Sequence, residues 1–122
     1  MTQPGDLEGR CVLLVEDEAL VAMHTEAVLA EAGARVEVAM RMETGLRAAE
    51  AFAFDVAVLD MNLGGESSLP IADLLLDRKK PFLFVTGYGS EAWFGRHENA
   101  SKLLKPFTDP QLIAAVRCLA RG

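Results

Sequence analysis

Three short runs of the chain, residues 11–15, 55–59 and 81–85, are apolar at nearly every position. Strands that are covered on both faces have this pattern, because neither face meets water. Two further strand candidates, 34–39 and 102–104, complete a series in which short apolar runs alternate with helical patterns. Because no hairpin is indicated between them, we predict an α/β fold. It is a doubly wound, five-stranded parallel sheet with helices on both faces.

Helical patterns separate the strand candidates. Helices are predicted over residues 18–32, 42–51 and 69–78, and a last one after Thr108, which has capping-box spacing with Gln111. The apolar residues that indicate the first of these helices are Leu20, Met23, Ala27 and Ala30. The stretch 87–101 has the weakest pattern, and there we expect only a short fourth helix.

Composition indicates a single acidic domain. A chain of 122 residues that is 51% hydrophobic is long enough to bury a core. Its formal charge of −6 argues against nucleic acid as a partner, and no apolar stretch reaches membrane-spanning length. The polar N-terminus lacks the apolar segment of a signal peptide, so we expect a cytoplasmic protein. We assign residues 1–9 to an N-terminal tail and residues 10–122 to the domain.

Polar residues stand at the C-terminal ends of four strand candidates. Glu16 and Asp17 follow the first, Asp60 closes the third, Thr86 ends the fourth, and Lys105 follows the fifth. In a parallel sheet these ends share one edge, where ligand chemistry collects. An acidic pair, a further aspartate, a hydroxyl and a lysine are the groups that a Mg²⁺-assisted phosphoryl transfer onto Asp60 requires.

Each of these groups has a task in such a reaction. The carboxylates of Asp17 and Asp60 would bind Mg²⁺ directly, and Glu16 directly or through water, because Mg²⁺ prefers oxygen ligands. A backbone carbonyl near Asn62 would add a neutral ligand. The hydroxyl and the ammonium group would stabilise the charge on the phosphoryl oxygens.

Each signal alone also has an ordinary structural explanation. An aspartate after a strand is commonly a turn residue or a helix cap, and a run of acidic residues suits the first turn of a helix. A threonine before glycine is common in turns, and a lysine is ordinarily solvated. Their joint occurrence at four strand ends favours phosphoryl transfer.

Four segments together resemble the response regulator receiver domains of two-component signalling, the CheY-like phosphoacceptors. The segments occur in family order and are Val15–Glu18, Val58–Leu63, Val85–Gly87 and Leu104–Phe107. The resemblance implies a flavodoxin-like (βα)₅ fold with Asp60 as the phosphorylated residue. The further roles that it implies are a metal-binding pair, a switch hydroxyl and a phosphate partner, carried by Glu16 with Asp17, by Thr86 and by Lys105. It also implies a cis peptide bond between Lys105 and Pro106.

Two features depart from the common receiver pattern. Lys102 stands three residues before Lys105, where receivers usually carry an aromatic residue, and the stretch from Thr86 to Lys105 is short. Together with Pro81–Tyr88, these features resemble a single-domain subgroup with a Phe-Ala-Thr-Gly-x-Tyr-like motif, which is associated with sensor kinases of the HWE/HisKA2 type. Our hypothesis is that Tyr88 takes over part of the aromatic role or limits water access to the phosphoaspartate. A half-buried loop tyrosine is the alternative.

We expect a signalling module rather than an enzyme, one that catalyses only its own phosphorylation and dephosphorylation. A histidine kinase would donate the phosphoryl group, and an unidentified downstream protein would bind this single-domain regulator, a monomer or weak homodimer. A non-phosphorylated receiver-like adaptor is the alternative. A phosphohydrolase is less favoured, because such enzymes usually carry a second aspartate where this chain has Asn62. His24 and His97 have no sequence neighbours that suit a phosphodonor or a metal site, so we expect both to be structural or exposed.

Overall fold

The computed structural model describes residues 5–51, 53–87, 95–97 and 99–120. In chain order, its elements are β1 (Cys11–Val15), α1 (Ala19–Glu31), β2 (Arg35–Ala39), α2 (Met42–Ala51), β3 (Val56–Asp60), β4 (Asn62–Leu63), β5 (Glu66–Ser67), α3 (Leu69–Asp77), β6 (Phe82–Thr86), a 3-10 turn (Gly95–His97), β7 (Ser101–Leu104) and α4 (Asp109–Ala120).

Five parallel strands form the central sheet, in the order β2-β1-β3-β6-β7. The predicted doubly wound fold is therefore confirmed. Strands β3 and β6 are buried at every position, whereas the edge strand β2 alternates between exposed and less exposed residues. The register pairs Asp60 with Val85, so the end of β3 lies beside the end of β6.

Alternate residues of the central strands enter two cores, one on each side of the sheet. Leu13 and Val15 of β1 belong to the core that includes residues of α2 and α3. Val12 and Leu14 belong to the other core, with residues of α1 and α4. Each fully buried leucine or valine contributes roughly 1.5–3 kcal/mol relative to an exposed one, so both faces of the sheet stabilise the fold.

Helix α1 buries a different face from the one that its predicted apolar stripe suggested. Leu20 is 80% exposed and Met23 is 64% exposed, and Ala27 and Ala30 are also exposed. The buried residues are Ala22, Thr25, Val28 and Leu29. Apolar residues occur on every side of this helix, so their period does not select the buried face and packing against the sheet decides it.

A small hairpin follows β3, although no hairpin was predicted. Strands β4 and β5 pair antiparallel through Leu63 and Glu66, joined by Gly64 and Gly65 at φ values of 58° and 94°. A two-residue turn with positive φ at both positions favours glycine, so Gly-Gly was the signal that the prediction missed. The hairpin lies directly after Asp60 in the chain.

Residues 5–9 are not a free tail. Leu7 is fully buried, and its N–H donates a hydrogen bond to the carbonyl of Ala32 over 2.7 Å. Asp6 forms an ion pair with Arg117 of α4 over 3.6 Å. The expected tail is therefore wrong for these residues, because a single leucine in a polar segment supplies enough apolar surface to dock it. The boundary of the domain at residue 10 stays a prediction.

The last helix begins as predicted. The N–H of Thr108 donates to the Gln111 side chain over 2.8 Å, and the N–H of Gln111 donates to the Thr108 hydroxyl over 3.2 Å. This reciprocal pair is a capping box. Between β6 and β7 the described residues form only the 3-10 turn, and the proposed roles of Tyr88 fall outside the described part of the chain. Among the helices described, none is long and apolar enough to cross a membrane.

Candidate functional site

The predicted polar residues meet in a cleft at the C-terminal edge of the sheet. The cleft has a volume of about 400 Å³. Its lining includes Asp17, Asp60, Asn62, Thr86, Gly87 and Lys105. The carboxyl ends of four of the five parallel strands, β1, β3, β6 and β7, deliver these groups, which is why residues far apart in the sequence come together here.

Three carboxylates form the acidic side of the cleft. Glu16, Asp17 and Asp60 each offer one oxygen, and these oxygens all lie within 4.8 Å of one another. Octahedral Mg²⁺ ligands at the usual bond length are about 3 to 4 Å apart. The trio therefore fits a magnesium ion after a small closing movement, and a set of carboxylate oxygens is the donor set that Mg²⁺ prefers.

Glu16 is the most perturbed group of the trio. Its side chain is 5% exposed, and Glu16 Oε2 accepts a hydrogen bond from the Glu18 N–H over 3.2 Å. Burial, followed by a hydrogen bond with Asp60, raises the pKa of the Glu16 carboxyl from 4.5 to about 7. With this pKa, the protonated and ionised forms of Glu16 coexist near neutral pH, and a divalent cation would favour the ionised form.

Asp60 has its two carboxylate oxygens in different environments. The N–H of Asn62 donates to Asp60 Oδ1 over 3.1 Å. Asp60 Oδ2 lies 3.5 Å from Lys105 Nζ, which is also 3.9 Å from Glu16 Oε1. The residue as a whole is 8% exposed. A buried carboxylate with one oxygen held by an amide and the other beside an ammonium group has a fixed orientation.

The Asn62 side chain has a separate task. Asn62 Oδ1 accepts a hydrogen bond from the N–H of Gly65 over 2.9 Å, across the turn of the hairpin. The side chain of Asn62 thus supports the hairpin, and its backbone N–H is what contacts Asp60. Its backbone carbonyl as a metal ligand stays a prediction.

Thr86 stands opposite the acidic side, at the end of β6. Its hydroxyl donates to the Gly87 carbonyl over 3.5 Å, which is a long contact, and its own carbonyl accepts a bond from the Lys105 N–H over 2.9 Å. A Cβ added to Gly87 would meet no described atom within 4 Å. The Thr86 backbone is therefore held by Lys105, while its hydroxyl makes a weak contact that a better acceptor could replace.

The remaining predicted residues lie in different places. The Lys105–Pro106 peptide bond is cis, as the resemblance implied. Lys102 does not line the cleft: its ammonium group donates to the carbonyl of Ala100 over 3.1 Å and to that of His97 over 3.4 Å. Lys102 therefore ties down the connection that precedes β7.

His97 has a more defined environment than the sequence indicated. Its side chain is 2% exposed, and its Nε2 lies 2.6 Å from Asp73 Oδ1 in α3. Its ring makes edge contacts with Phe82 and Phe84, with centroid distances of 5.5 and 5.9 Å. Asp73 precedes His97 by 24 residues, so no local pattern pairs them.

The fold and the site define a receiver domain, and the chain belongs to that family. The family model described as "Response regulator receiver domain" matches residues 12–117. The chain is 32% identical over 117 residues to the two-component response regulator PhoP of Pseudomonas aeruginosa, covering 90% of this chain and 51% of PhoP. It thus spans about half the length of that curated relative.

Solved structures agree on the fold. A response regulator receiver protein from Sinorhizobium medicae has a TM-score of 0.83 at 26% identity, with 95% of this chain and 98% of that chain covered. A CheY-like receiver domain protein from Methanospirillum hungatei has a TM-score of 0.82 at 23% identity, with coverage of 92% and 94%. The second likeness is one of fold alone.

Proposed function

We propose that Asp60 of this receiver domain accepts a phosphoryl group in a Mg²⁺-dependent reaction, with a histidine kinase as the natural donor. One observation carries the proposal. A buried aspartate has one oxygen held by an amide and the other beside Lys105, within a trio of carboxylates. This arrangement suits an aspartate that would react with an anionic group, because an ammonium group and an amide N–H lie beside its oxygens.

Each described residue has a task in the proposed transfer. An Asp60 oxygen forms a bond to phosphorus while the bond from phosphorus to the donor's imidazole nitrogen breaks, and the electron pair stays on that nitrogen. Glu16, Asp17, Asp60 and the Asn62 carbonyl would hold Mg²⁺, which when bound supplies charge that screens the repulsion between the carboxylates and the phosphoryl group.

The donor side of the cleft would then hold the transferred group. The Lys105 ammonium is 3.5 Å from Asp60 Oδ2, close enough to follow a phosphoryl oxygen formed there. The Thr86 hydroxyl would exchange its long contact with the Gly87 carbonyl for a bond to a second phosphoryl oxygen. That exchange moves Thr86 and gives a partner protein a difference to detect.

The exposed stripe of α1 is the proposed contact for the kinase. Leu20 is 80% exposed and Met23 is 64% exposed, and the helix begins two residues after Asp17. Large apolar side chains beside a reactive cleft suit a protein donor that must reach Asp60. The resemblance of Pro81–Tyr88 to the HWE/HisKA2-associated subgroup supports a kinase of that type.

A further part of the proposed function is how the domain passes its signal on. We propose a cytoplasmic single-domain regulator that works through protein contacts with an unidentified downstream partner, as a monomer or weak homodimer. Its chemistry would be limited to its own phosphorylation and dephosphorylation. The subgroup resemblance supports the single-domain part, and the net charge of −6 supports a protein rather than a nucleic acid as the partner.

The test is the intact mass after incubation with acetyl phosphate and Mg²⁺. We expect the wild type to gain one phosphoryl group, and Asp60→Asn or the wild type with a chelator to gain none. Beryllofluoride with Mg²⁺, followed by NMR, covers a phosphoryl group too short-lived for mass detection. Silence in both experiments would reject the proposal in favour of a non-phosphorylated adaptor.

A further inference from the structure

A buried histidine joins the sheet to α3. His97 has a 2% exposed side chain, its Nε2 is 2.6 Å from Asp73 Oδ1, and its ring packs edge-on against Phe82 and Phe84. Burying an imidazole is costly unless its nitrogens are hydrogen-bonded. The Asp73 bond is therefore what allows this ring to sit against the two phenylalanines.

A second contact lies beside the first but is exposed. Arg96 forms an ion pair with Asp77 over 3.0 Å, and these side chains are 53% and 62% exposed. Asp73 and Asp77 are one helical turn apart on α3, so consecutive residues of the 3-10 turn are tied to the same helix face. An exposed ion pair contributes little, so the Asp73–His97 contact, in which the histidine is buried and the aspartate half-exposed, is the stronger attachment.

The same turn is linked to the phosphorylation site through β7. Lys102 donates to the His97 carbonyl over 3.4 Å and pairs in register with Phe84. Phe84 and Thr86 are two residues apart on β6 and therefore share a face of the sheet. The Lys105 N–H holds the Thr86 carbonyl over 2.9 Å. Lys102 of β7 and Lys105, which directly follows that strand, thus hold the two described ends of the β6–β7 connection, at His97 and at Thr86.

We propose that the Asp73–His97 pair is a positioning contact for Thr86. By fixing the end of the β6–β7 connection on α3, it sets the place from which the Thr86 hydroxyl meets a phosphoryl group on Asp60. Position 102, where the resemblance leads one to expect an aromatic residue, carries a lysine, and the His97 ring lies edge-on to Phe84. This inference rests on the proposed function of Asp60.

The test compares three variants of α3 in a titration with beryllofluoride and Mg²⁺, a mimic of the phosphorylated state. Asp73→Ala removes the contact to the buried histidine, Asp77→Ala removes the exposed ion pair as a matched control, and Asp73→Asn restores a partner for either imidazole tautomer. We expect Asp73→Ala to bind beryllofluoride about fivefold more weakly than the wild type. This is the change in affinity expected from the loss of one partly exposed hydrogen bond to a charged group. The other two variants should bind like the wild type.

A spectroscopic signal separates positioning from general stability. The chain has 2 histidines, so their NMR signals are assigned with one His24→Gln variant. The His97 ring signal of the wild type should shift on beryllofluoride binding, and this shift should shrink in Asp73→Ala. Thermal unfolding checks that the variants are folded, as expected at a half-exposed helical site. Asp73→Gln, in which one extra methylene displaces the side-chain oxygen, is a second variant that breaks the contact with His97.

The outcomes distinguish the two proposals. A wild type that binds beryllofluoride, with Asp73→Ala and Asp73→Gln binding equally well, would overturn the positioning role and leave the function of Asp60 intact. Equal losses in Asp73→Ala and Asp77→Ala would also overturn it, because a general weakening of α3 would then suffice. If the wild type binds neither beryllofluoride nor a phosphoryl group, both the proposed function of Asp60 and the positioning role are rejected.

Discussion

The two sides of the cleft are organised in opposite ways. On the acidic side, Glu16 and Asp60 are buried and in mutual contact, and a small closing movement would bring their oxygens to the spacing of magnesium ligands. On the donor side, the hydrogen bond that the Thr86 hydroxyl makes within the described residues is a long one, and the Lys105 side chain is 31% exposed. The acidic side is held together at the cost of burying carboxyl groups, whereas the donor side has freedom to adjust. A receiver needs both, because metal binding requires a fixed set of ligands and signalling requires a group that moves.

Removing a carboxylate from the acidic side should have the largest effect. We expect Asp17→Asn to weaken Mg²⁺ binding about 100-fold. Losing a residue that only supports a metal ligand costs up to about 100-fold in affinity, and losing a ligand itself should cost at least as much. Calorimetric titration with Mg²⁺ measures this. Glu18→Gln is the control, because Glu18 is an exposed neighbour outside the trio. Similar losses in both variants would show that the trio has no special role.

The stability of the metal-free protein should fall as the pH rises. The native pKa of Glu16, about 7, is above its ordinary value of 4.5, so between these values the native state binds more protons than the unfolded state. This group should cost about 2 kcal/mol of stability between pH 5 and pH 8. Denaturant titrations of the wild type and Glu16→Gln measure the difference, and parallel pH profiles would contradict the assignment. Saturating Mg²⁺ should reduce the loss, since the cation binds the ionised form.

Breaking the donor side should slow the reaction without abolishing metal binding. We expect Thr86→Ala to lower the rate of phosphorylation by acetyl phosphate about tenfold, less than a fully preorganised donor would cost, because the hydroxyl must first turn. Thr86→Ser retains a hydroxyl and should keep most of the rate. Intact mass against time provides the rates. An unchanged rate in Thr86→Ala would show that the Thr86 hydroxyl does not stabilise the charge on the phosphoryl oxygens.

The smallest change should come from a surface outside both sides of the cleft. Leu20→Glu should reduce phosphotransfer from a kinase that phosphorylates the wild type about fivefold to tenfold, the loss typical of an interface residue. Phosphorylation by acetyl phosphate should not change, because Leu20 does not line the cleft. Leu76→Glu, at another exposed leucine (41%), is the matched control. Equal phosphotransfer to both variants would move the kinase contact away from α1.

The sequence predicted the site better than the helix faces, and the reason is physical. Strands buried on both faces must be apolar throughout, so β1, β3 and β6 were visible, and their shared edge located the polar residues that follow them. Helix α1 is apolar on every side, so its buried face depends on the sheet beneath it. His97 and Asp73 meet only because α3 packs near the 3-10 turn. Their contact follows from the assembled fold and from no local pattern.

The C-terminal end of α1 and the N-terminal segment that packs beside it, residues 5–9, depend on each other. Gly33 adopts φ of 104°, and a Cβ there would come within 2.8 Å of the Glu8 backbone. Any larger residue would therefore strain the end of the helix and also displace the neighbour of the buried Leu7. Because glycine has no side chain at position 33, the residues before the first strand can pack closely there and cover one end of the core. A substitution far from the cleft would in this way act as a partial truncation of the chain.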